Sequence, residues 1–325
     1  MKEINLDNAK NLLKDYEKEV DYDRMEEFEI KEYWETLDEW IEELKNTNPD
    51  DVISWGYKSL DDKIWYILPW QLILVWGTTW TWKSTFTSEI AKNISKQWKT
   101  VLKFTLEDRL QDRKKQDLYY DININRRKNW LNWYPYNDFF SNDIKNNLII
   151  EEKKEARLRL KKDNKWIYDV VRNKDTQMWI VDVETIIKKW IEKGVKLIVL
   201  DHLQEFKVES SNERQDLRIE ETMYNIKNLS RKYNIAIILI AHFKKLEWRP
   251  NLNSFKDTIA ISQVSNKVLL LYRNLLEEDW ITELIVGKNR EKPNWTWIIE
   301  LNFNIDTLKY TNIKSERQNK YELNI

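Results

Sequence analysis

Residues 72–85 read Leu-Ile-Leu-Val-Trp-Gly-Thr-Thr-Trp-Thr-Trp-Lys-Ser-Thr, and this stretch decides the fold. Leu72 to Val75 is an apolar run that suits a strand buried on both faces, and the chain from Lys83 to about Gln97 reads as a helix. Between them, Gly77-Thr78-Thr79-Trp80-Thr81-Trp82-Lys83-Ser84 is G-x-x-x-x-G-K-S in every respect but one: position 82 is Trp, not Gly. The spacing has a physical cause. Successive backbone N–H groups curl around a phosphate, and the start of the helix adds a partial positive charge. A side chain at 82 stands where the backbone must approach that phosphate. With glycine there, Gly77 to Thr85 would cradle a nucleotide, Lys83 would neutralise its terminal phosphates, and the Ser84 hydroxyl would ligate Mg²⁺. Taken literally, the string is an ordinary strand–turn–helix.

The misfit at 82 is not isolated. The 325 residues hold 18 Trp and only 4 Gly, where a usual glycine frequency of about 7% would give roughly 23. Trp70 follows Pro69 in a turn, and Trp76, Trp98 and Trp295 also fall where a chain turns. We read many of these tryptophans as glycines, from a gene in which UGA means Gly but was translated as Trp. Trp34 and Trp40 are the exceptions, because glycine would weaken the helix they sit in. The competing reading is a genuinely Trp-rich chain, such as a carbohydrate binder or a membrane-interface protein. It does not explain Trp beside Lys83.

Composition narrows the classes. There is no Cys, which excludes disulfides and thiolate metal sites, and His occurs only at 202 and 242. No apolar run approaches a membrane span, and Met1 to Lys10 lacks the apolar core of a signal peptide. A soluble cytoplasmic protein without membrane contact is expected. Residues 1–51 hold 18 Asp/Glu against 7 Lys/Arg, a net −11, which leaves +10 on the rest. An acidic arm thus joins a basic body, a balance compatible with nucleic acid.

Along the chain, Leu6, Ala9, Leu13, Tyr16 and Val20 recur at helical spacing, as do Phe28, Leu37, Ile41 and Leu44, so 1–50 reads as a helical arm. It suits either a solvated amphipathic hairpin or a docking arm for a neighbouring subunit. The core spans 51–313. After the first strand and helix come strands at 101–106, 195–200 and 235–240, helices at about 183–193 and 213–233, and strands near 267–272, 281–287 and 297–303. Residues 108–165 are charged and helical or irregular, and 314–325 form a polar tail. Strands alternating with helices predict an α/β fold with a mostly parallel sheet flanked by helices.

Strand ends carry the remaining candidates. Asp201 ends KLIVLD, where a carboxylate can hold a Mg²⁺ water shell. Glu107 ends VLKFTLE, where it could polarise an attacking water. His242 follows IAIILIA, where a polar group can sense a terminal phosphate.

GYKSLDDKI (56–64), LPWQLILVWGTTWTWKST (68–85), VLKFTLE (101–107), KLIVLDHLQ (196–204), IILIAHFKK (237–245) and VGKNREKPNWT (286–296) follow one another in a telling order. The chain over about 52–312 resembles the RecA-like motor domain of DnaB-type replicative helicases, and the related phage and mitochondrial hexameric helicases. The resemblance implies that Lys83 and Ser84 bind ATP·Mg²⁺, Glu107 is the catalytic base, Asp201 the Walker B acid and His242 the γ-phosphate sensor. Gln263 resembles the glutamine that couples nucleotide state to a DNA-binding loop. Lys288 and Arg290 resemble the lysine and arginine finger that reach the neighbouring subunit's ATP, which implies a homo-oligomeric, hexameric ring. The loops 207–214 and 251–259 would face its channel, with Lys207, Arg214 and Lys256 on the phosphates of single-stranded DNA. A primase or helicase loader is the further partner implied. Against the family, the acidic arm is expected to stand in place of a separate helical domain, no primase-like zinc module is possible without Cys, and KDTIAISQ (256–263) is poorer in Gly and Ser than expected. A RecA- or RadA-like recombination ATPase, a phage-type DNA-dependent ATPase that never unwinds, and a non-hydrolysing nucleotide-binding scaffold or loader are the alternatives.

Overall fold

Strand residues sort by parity onto the two faces of one sheet, and helices cover each face. The computed structural model describes residues 51–77, 83–106, 165–171, 177–208, 214–242, 249–250, 259–274, 281–291, 297–304 and 309–318, with 36–39 and 42. The chain divides into two compact units, Met1–Pro49 and Asp50–Ile325; almost all of the expected helical arm lies outside the described residues.

In the second unit, helix α1 (Lys58–Ile64) precedes strand β1 (Leu72–Gly77). Then come α2 (Lys83–Lys96), β2 (Thr100–Thr105) and β3 (Ile167–Val171). The pair β4 (Met178–Trp179) and β6 (Phe206–Lys207) forms a small sheet of its own, bracketing α3 (Ile180–Ile191) and β5 (Val195–Asp201). Helix α4 (Gln215–Lys232), β7 (Ala236–His242), α5 (Ile259–Val264) and β8 (Lys267–Tyr272) follow. Strands β9 (Ile281–Asn289), β10 (Trp297–Asn304) and β11 (Lys309–Gln318) complete the unit.

The main sheet has the order β11-β10-β9-β8-β1-β7-β5-β2-β3. The six strands from β8 to β3 are mutually parallel, and β9, β10 and β11 continue antiparallel. The runs LILV, IVL and IILI are apolar at consecutive positions because both faces are covered. Leu72, Leu74, Leu200 and Leu239 point to α3, α4 and α5, where Val183, Met223, Ile226 and Ile261 meet them. Ile73, Val75, Val199 and Ile240 point the other way, onto Leu60 of α1 and Phe86, Ile90 and Ile94 of α2.

The expected α/β fold with a mostly parallel sheet is therefore present. Some strands went unread in the sequence: β3, the two-residue pairing of β4 with β6, and β11, which runs to Gln318, beyond residue 313 where the core was expected to end. β4 and β6 are too short for periodicity, and β11 (KYTNIKSERQ) is an antiparallel edge with hardly any apolar pattern.

Candidate nucleotide site and its distant cations

Parallel strands deliver their last residues to one edge, so the carboxyl end of β1, β7, β5 and β2 collects whatever the strands end on. Gly77 closes β1 and lies opposite His242, the last residue of β7. Asp201 closes β5 opposite Thr105 of β2, and its carbonyl accepts the Leu106 N–H at 3.5 Å. Lys83 opens α2 and is 3% exposed; Asp201 is 6% exposed. Ser84 and Thr85, in the first turn of the same helix, are half-buried. The Ser84 carbonyl accepts the Thr87 hydroxyl at 3.2 Å, one helical turn on.

The structure thus gathers Gly77, Lys83, Ser84, Asp201 and His242 at one edge. Thr78, Thr79, Trp80, Thr81, Trp82 and Glu107 lie outside the described residues. One neighbour escaped the sequence reading. His202 packs edge-on against His242, ring centroids 4.4 Å apart. The signal was present: these are the chain's only two histidines, and each closes or follows an apolar strand.

Lys207 closes β6 and Arg214 directly precedes α4. Lys207 sits over the Trp179 ring, 4.0 Å from its centroid. Arg214 is exposed and pairs with Asp216 at 2.5 Å. Lys256 is outside the described residues.

Lys288 and Arg290 are elsewhere. β9 runs against β8, with Asn289 opposite Lys267, so they lie where the parallel strands begin. The six residues of β1, at about 3.3 Å each, put roughly 17 Å between the two edges. There the Lys288 ammonium donates to the carbonyls of Ser262 (2.7 Å) and Gln263 (2.8 Å), and Arg290 Nη2 donates to the Gln263 carbonyl at 2.5 Å. Both cations therefore sit on the carboxyl-terminal carbonyls of α5, where the helix dipole favours positive charge. Gln263 itself has an exposed side chain and lies with these cations rather than with Gly77. Burial, and then the Arg290 charge, pushes the Lys288 ammonium down to about 8. Burial first, then repulsion from Arg231 and Arg290, brings Lys227 of α4 down to about 8 as well.

A nine-stranded sheet with this order, with Gly, Lys, Asp and His gathered at the carboxyl edge, defines a RecA-like α/β domain. The comparisons name its branch. The family model described as DnaB-like helicase C terminal domain matches residues 52–312, and the chain belongs to that family. The replicative DNA helicase DnaB of Buchnera aphidicola subsp. Baizongia pistaciae is 26% identical over 292 residues, covering 85% of this chain and 59% of the relative. The probable replicative DNA helicase of Trieres chinensis is 25% identical over 300 residues, with coverages of 82% and 59%. The chain thus spans 59% of the length of these two curated relatives. Among solved structures, one described as an ATPase domain superposes with a TM-score of 0.69 at 17% identity, covering 87% of this chain and 99% of that one. A DnaB-like replicative helicase, solved to describe its interactions with primase, gives 0.70 at 19% identity, with coverages of 87% and 67%.

Proposed function

We propose that this chain is the motor of a DnaB-like hexameric helicase, coupling ATP hydrolysis to movement along single-stranded DNA. One observation carries the reading: Lys288 and Arg290 stand at the opposite sheet edge from Gly77, Lys83, Asp201 and His242 of the same chain. A finger that cannot reach its own nucleotide serves a neighbour's, which calls for a ring with its sites between subunits.

Lys83 binds the β- and γ-phosphates, Glu107 activates the water, and His242, steadied by His202, senses the γ-phosphate. The residues fit Mg²⁺: a carboxylate (Asp201) and a hydroxyl (Ser84) are hard oxygen donors. Among the described residues no group of three or more His, Cys, Asp or Glu could hold a metal, and an ATP-borne Mg²⁺, ligated mostly by phosphate and water, needs none. Bound there, the ion would neutralise charge developing on the phosphates. Lys207, Arg214 and Lys256 track the DNA backbone without sequence readout. The acidic stretch 1–50 serves to dock a neighbouring subunit, and a primase or loader is the expected partner. Among the described residues no helix is long and apolar enough to cross a membrane.

The test is DNA-stimulated ATP hydrolysis together with strand displacement from a forked duplex. Hydrolysis without displacement would point to the recombination-type or non-unwinding phage-type ATPase. Turnover unchanged by Glu107→Gln would point to the scaffold.

We further propose that UGA-encoded glycine accounts for many of the printed tryptophans. Backbone geometry supports this. Trp65, Trp70 and Trp98 have φ of 64°, 59° and 63°, and among described non-glycine residues only Asn234 joins them on the positive side. Trp65 combines φ 64° with ψ 170°, a region open essentially to glycine alone. Trp70 follows Pro69 in a turn, where a residue after proline with positive φ is ordinarily glycine. Trp98 follows the end of α2, its N–H donating to the Ser95 carbonyl at 3.0 Å, at the left-handed position that glycine usually fills. All three are well exposed. Trp55 is the contrast: fully buried, its indole N–H donating to the Trp65 carbonyl at 2.7 Å, it behaves as a genuine tryptophan. Mass spectrometry of the natively expressed protein decides the matter, because a mass agreeing with 18 tryptophans excludes recoding.

A further inference from the structure

Behind Arg290 lies a buried polar joint that no motif announces. Asn266, 4% exposed, directly precedes β8. Its carbonyl accepts the Arg290 N–H at 3.0 Å. Its own N–H donates to the Leu72 carbonyl at 2.8 Å, and its Oδ1 accepts the Leu72 N–H at 3.0 Å. The same Oδ1 accepts the Lys227 ammonium at 2.5 Å, and Lys227 also donates to the Trp70 carbonyl at 3.0 Å. The Asn266 side chain therefore ties the first residue of β1 to a buried cation of α4, and so fixes the main-chain carbonyl that accepts the Arg290 N–H.

The neighbouring groups reinforce the joint. Gln71 Nε2 donates to Glu291 Oε1 at 2.6 Å, and Lys267 donates to the Tyr66 carbonyl at 2.6 Å and to Gln71 Oε1 at 3.1 Å. Arg290 is thus held at its main chain by Asn266 and at its guanidinium by Gln263. At the buried Asn266 and Lys227 such bonds fix position closely, and removing one partner leaves a costly orphan.

We propose that Asn266, braced by Lys227, is a positioning residue for the finger: it seats Arg290 on the strand that leads to the subunit's own phosphate loop, so that finger and loop move as one body. The proposal rests on the reading of Arg290 as a finger acting in trans. A finger misplaced by about 1 Å costs on the order of 100-fold in turnover while leaving nucleotide binding in place.

The experiment is subunit complementation, in the chain whose residues at the Trp positions have been fixed by mass. Asn266→Ala should lower kcat about 10- to 100-fold, with KM for ATP within about twofold. Asn266→Asp keeps both acceptor contacts and should hold kcat within about threefold. Mixing Asn266→Ala subunits with excess Lys83→Ala subunits should restore hydrolysis, because each intact nucleotide site then faces an intact finger. Arg290→Ala is run in parallel. If Arg290→Ala is not rescued by Lys83→Ala subunits, the trans reading itself fails. If Arg290→Ala is rescued while Asn266→Ala keeps full kcat, or loses it without rescue, the positioning role is overturned. Lys227→Met replaces Asn266→Ala should the latter show no cooperative melting, with the same rescue expected and the same failure decisive.

Discussion

The two edges of the central sheet are built by different rules. At the carboxyl edge, Gly77, Asp201 and His242 each end a strand of the parallel set, and parallel pairing alone brings them together. At the other edge, Lys288 and Arg290 arrive on a strand of reversed direction and are held by carbonyls of α5 and by Asn266. The reversal between β8 and β9 is what separates the proposed nucleotide site from the proposed finger within one subunit. In a ring, that separation becomes a contact between neighbours. The largest expected effect follows directly. Arg290→Ala should reduce hydrolysis by about 10³-fold or more while ATP affinity, measured by equilibrium binding, stays nearly intact. Loss of ATP binding in the isolated monomer would break the division between the edges.

The second effect belongs to the carboxyl edge alone. A chain carrying an indole at position 82 should bind ATP poorly even when folded. Trp82→Gly should tighten ATP binding by about 100-fold, the equivalent of one or two recovered charge-assisted bonds to phosphate at roughly 1.5–3 kcal/mol each. Tight binding by the Trp82 chain would mean that the loop at 77–84 is no phosphate cradle.

The same contrast explains what was legible. Gly77, Asp201 and His242 were readable as strand-end positions because apolar runs mark strands, and Lys83 was readable from its spacing after Gly77. Trp70 and Trp98 were readable as turn residues, one after Pro69 and one after a helix; Trp76 was misread as one, since it lies buried within β1 opposite Ala241 and Leu270, and Trp65 went unread, since nothing around it but its own φ and ψ marks a glycine position. The Asn266 joint was invisible. Its partners are Leu72, Lys227 and Arg290, as far as 194 residues away in the chain, and a Lys–Asn bond leaves no periodicity. β11 was missed because its polar, charged composition reads as tail. Local pattern reports burial well; it does not report which polar groups meet across a sheet.

A third, smaller effect probes the finger edge through pH. Lys288 is pushed by burial and by Arg290 to about 8, and Lys227 stands at about the same value. As pH rises past about 8, uncomplexed Lys288 loses its proton, so kcat/KM for ATP should fall, up to about tenfold by about pH 9 for one essential protonated group. Lys288→Arg should flatten that limb, and a limb that persists belongs to Lys227 or another group. Stability carries the opposite sign. Both folded-state values lie below the unfolded value near 10.5, so between about 8 and 10.5 the unfolded chain holds more protons and these lysines make stability rise with pH. Tyr310, raised by burial, reverses this above the ordinary tyrosine range, where the unfolded chain ionises first.

The smallest effect concerns the turn where α2 hands the chain to β2. Trp98 holds φ 63° with 73% of its surface exposed. A left-handed conformation costs a residue with a Cβ about 1–2 kcal/mol. Little opposes its removal: the Lys165 ammonium over its ring lies 5.9 Å from the centroid, a distance at which such contacts are worth about 0.5 kcal/mol at the surface. Glycine's extra freedom in the unfolded chain returns about 0.4–1 kcal/mol of the gain. Trp98→Gly should therefore raise stability by up to about 1 kcal/mol, a rise in Tm of roughly 2 °C. Trp55→Gly, at a buried and hydrogen-bonded position, should cost about 3–5 kcal/mol or more. A thermal melt of the two variants sorts the tryptophans by their own backbones. If both substitutions lower Tm alike, left-handed geometry does not distinguish glycine positions in this chain, and the count of 18 Trp against 4 Gly needs another cause.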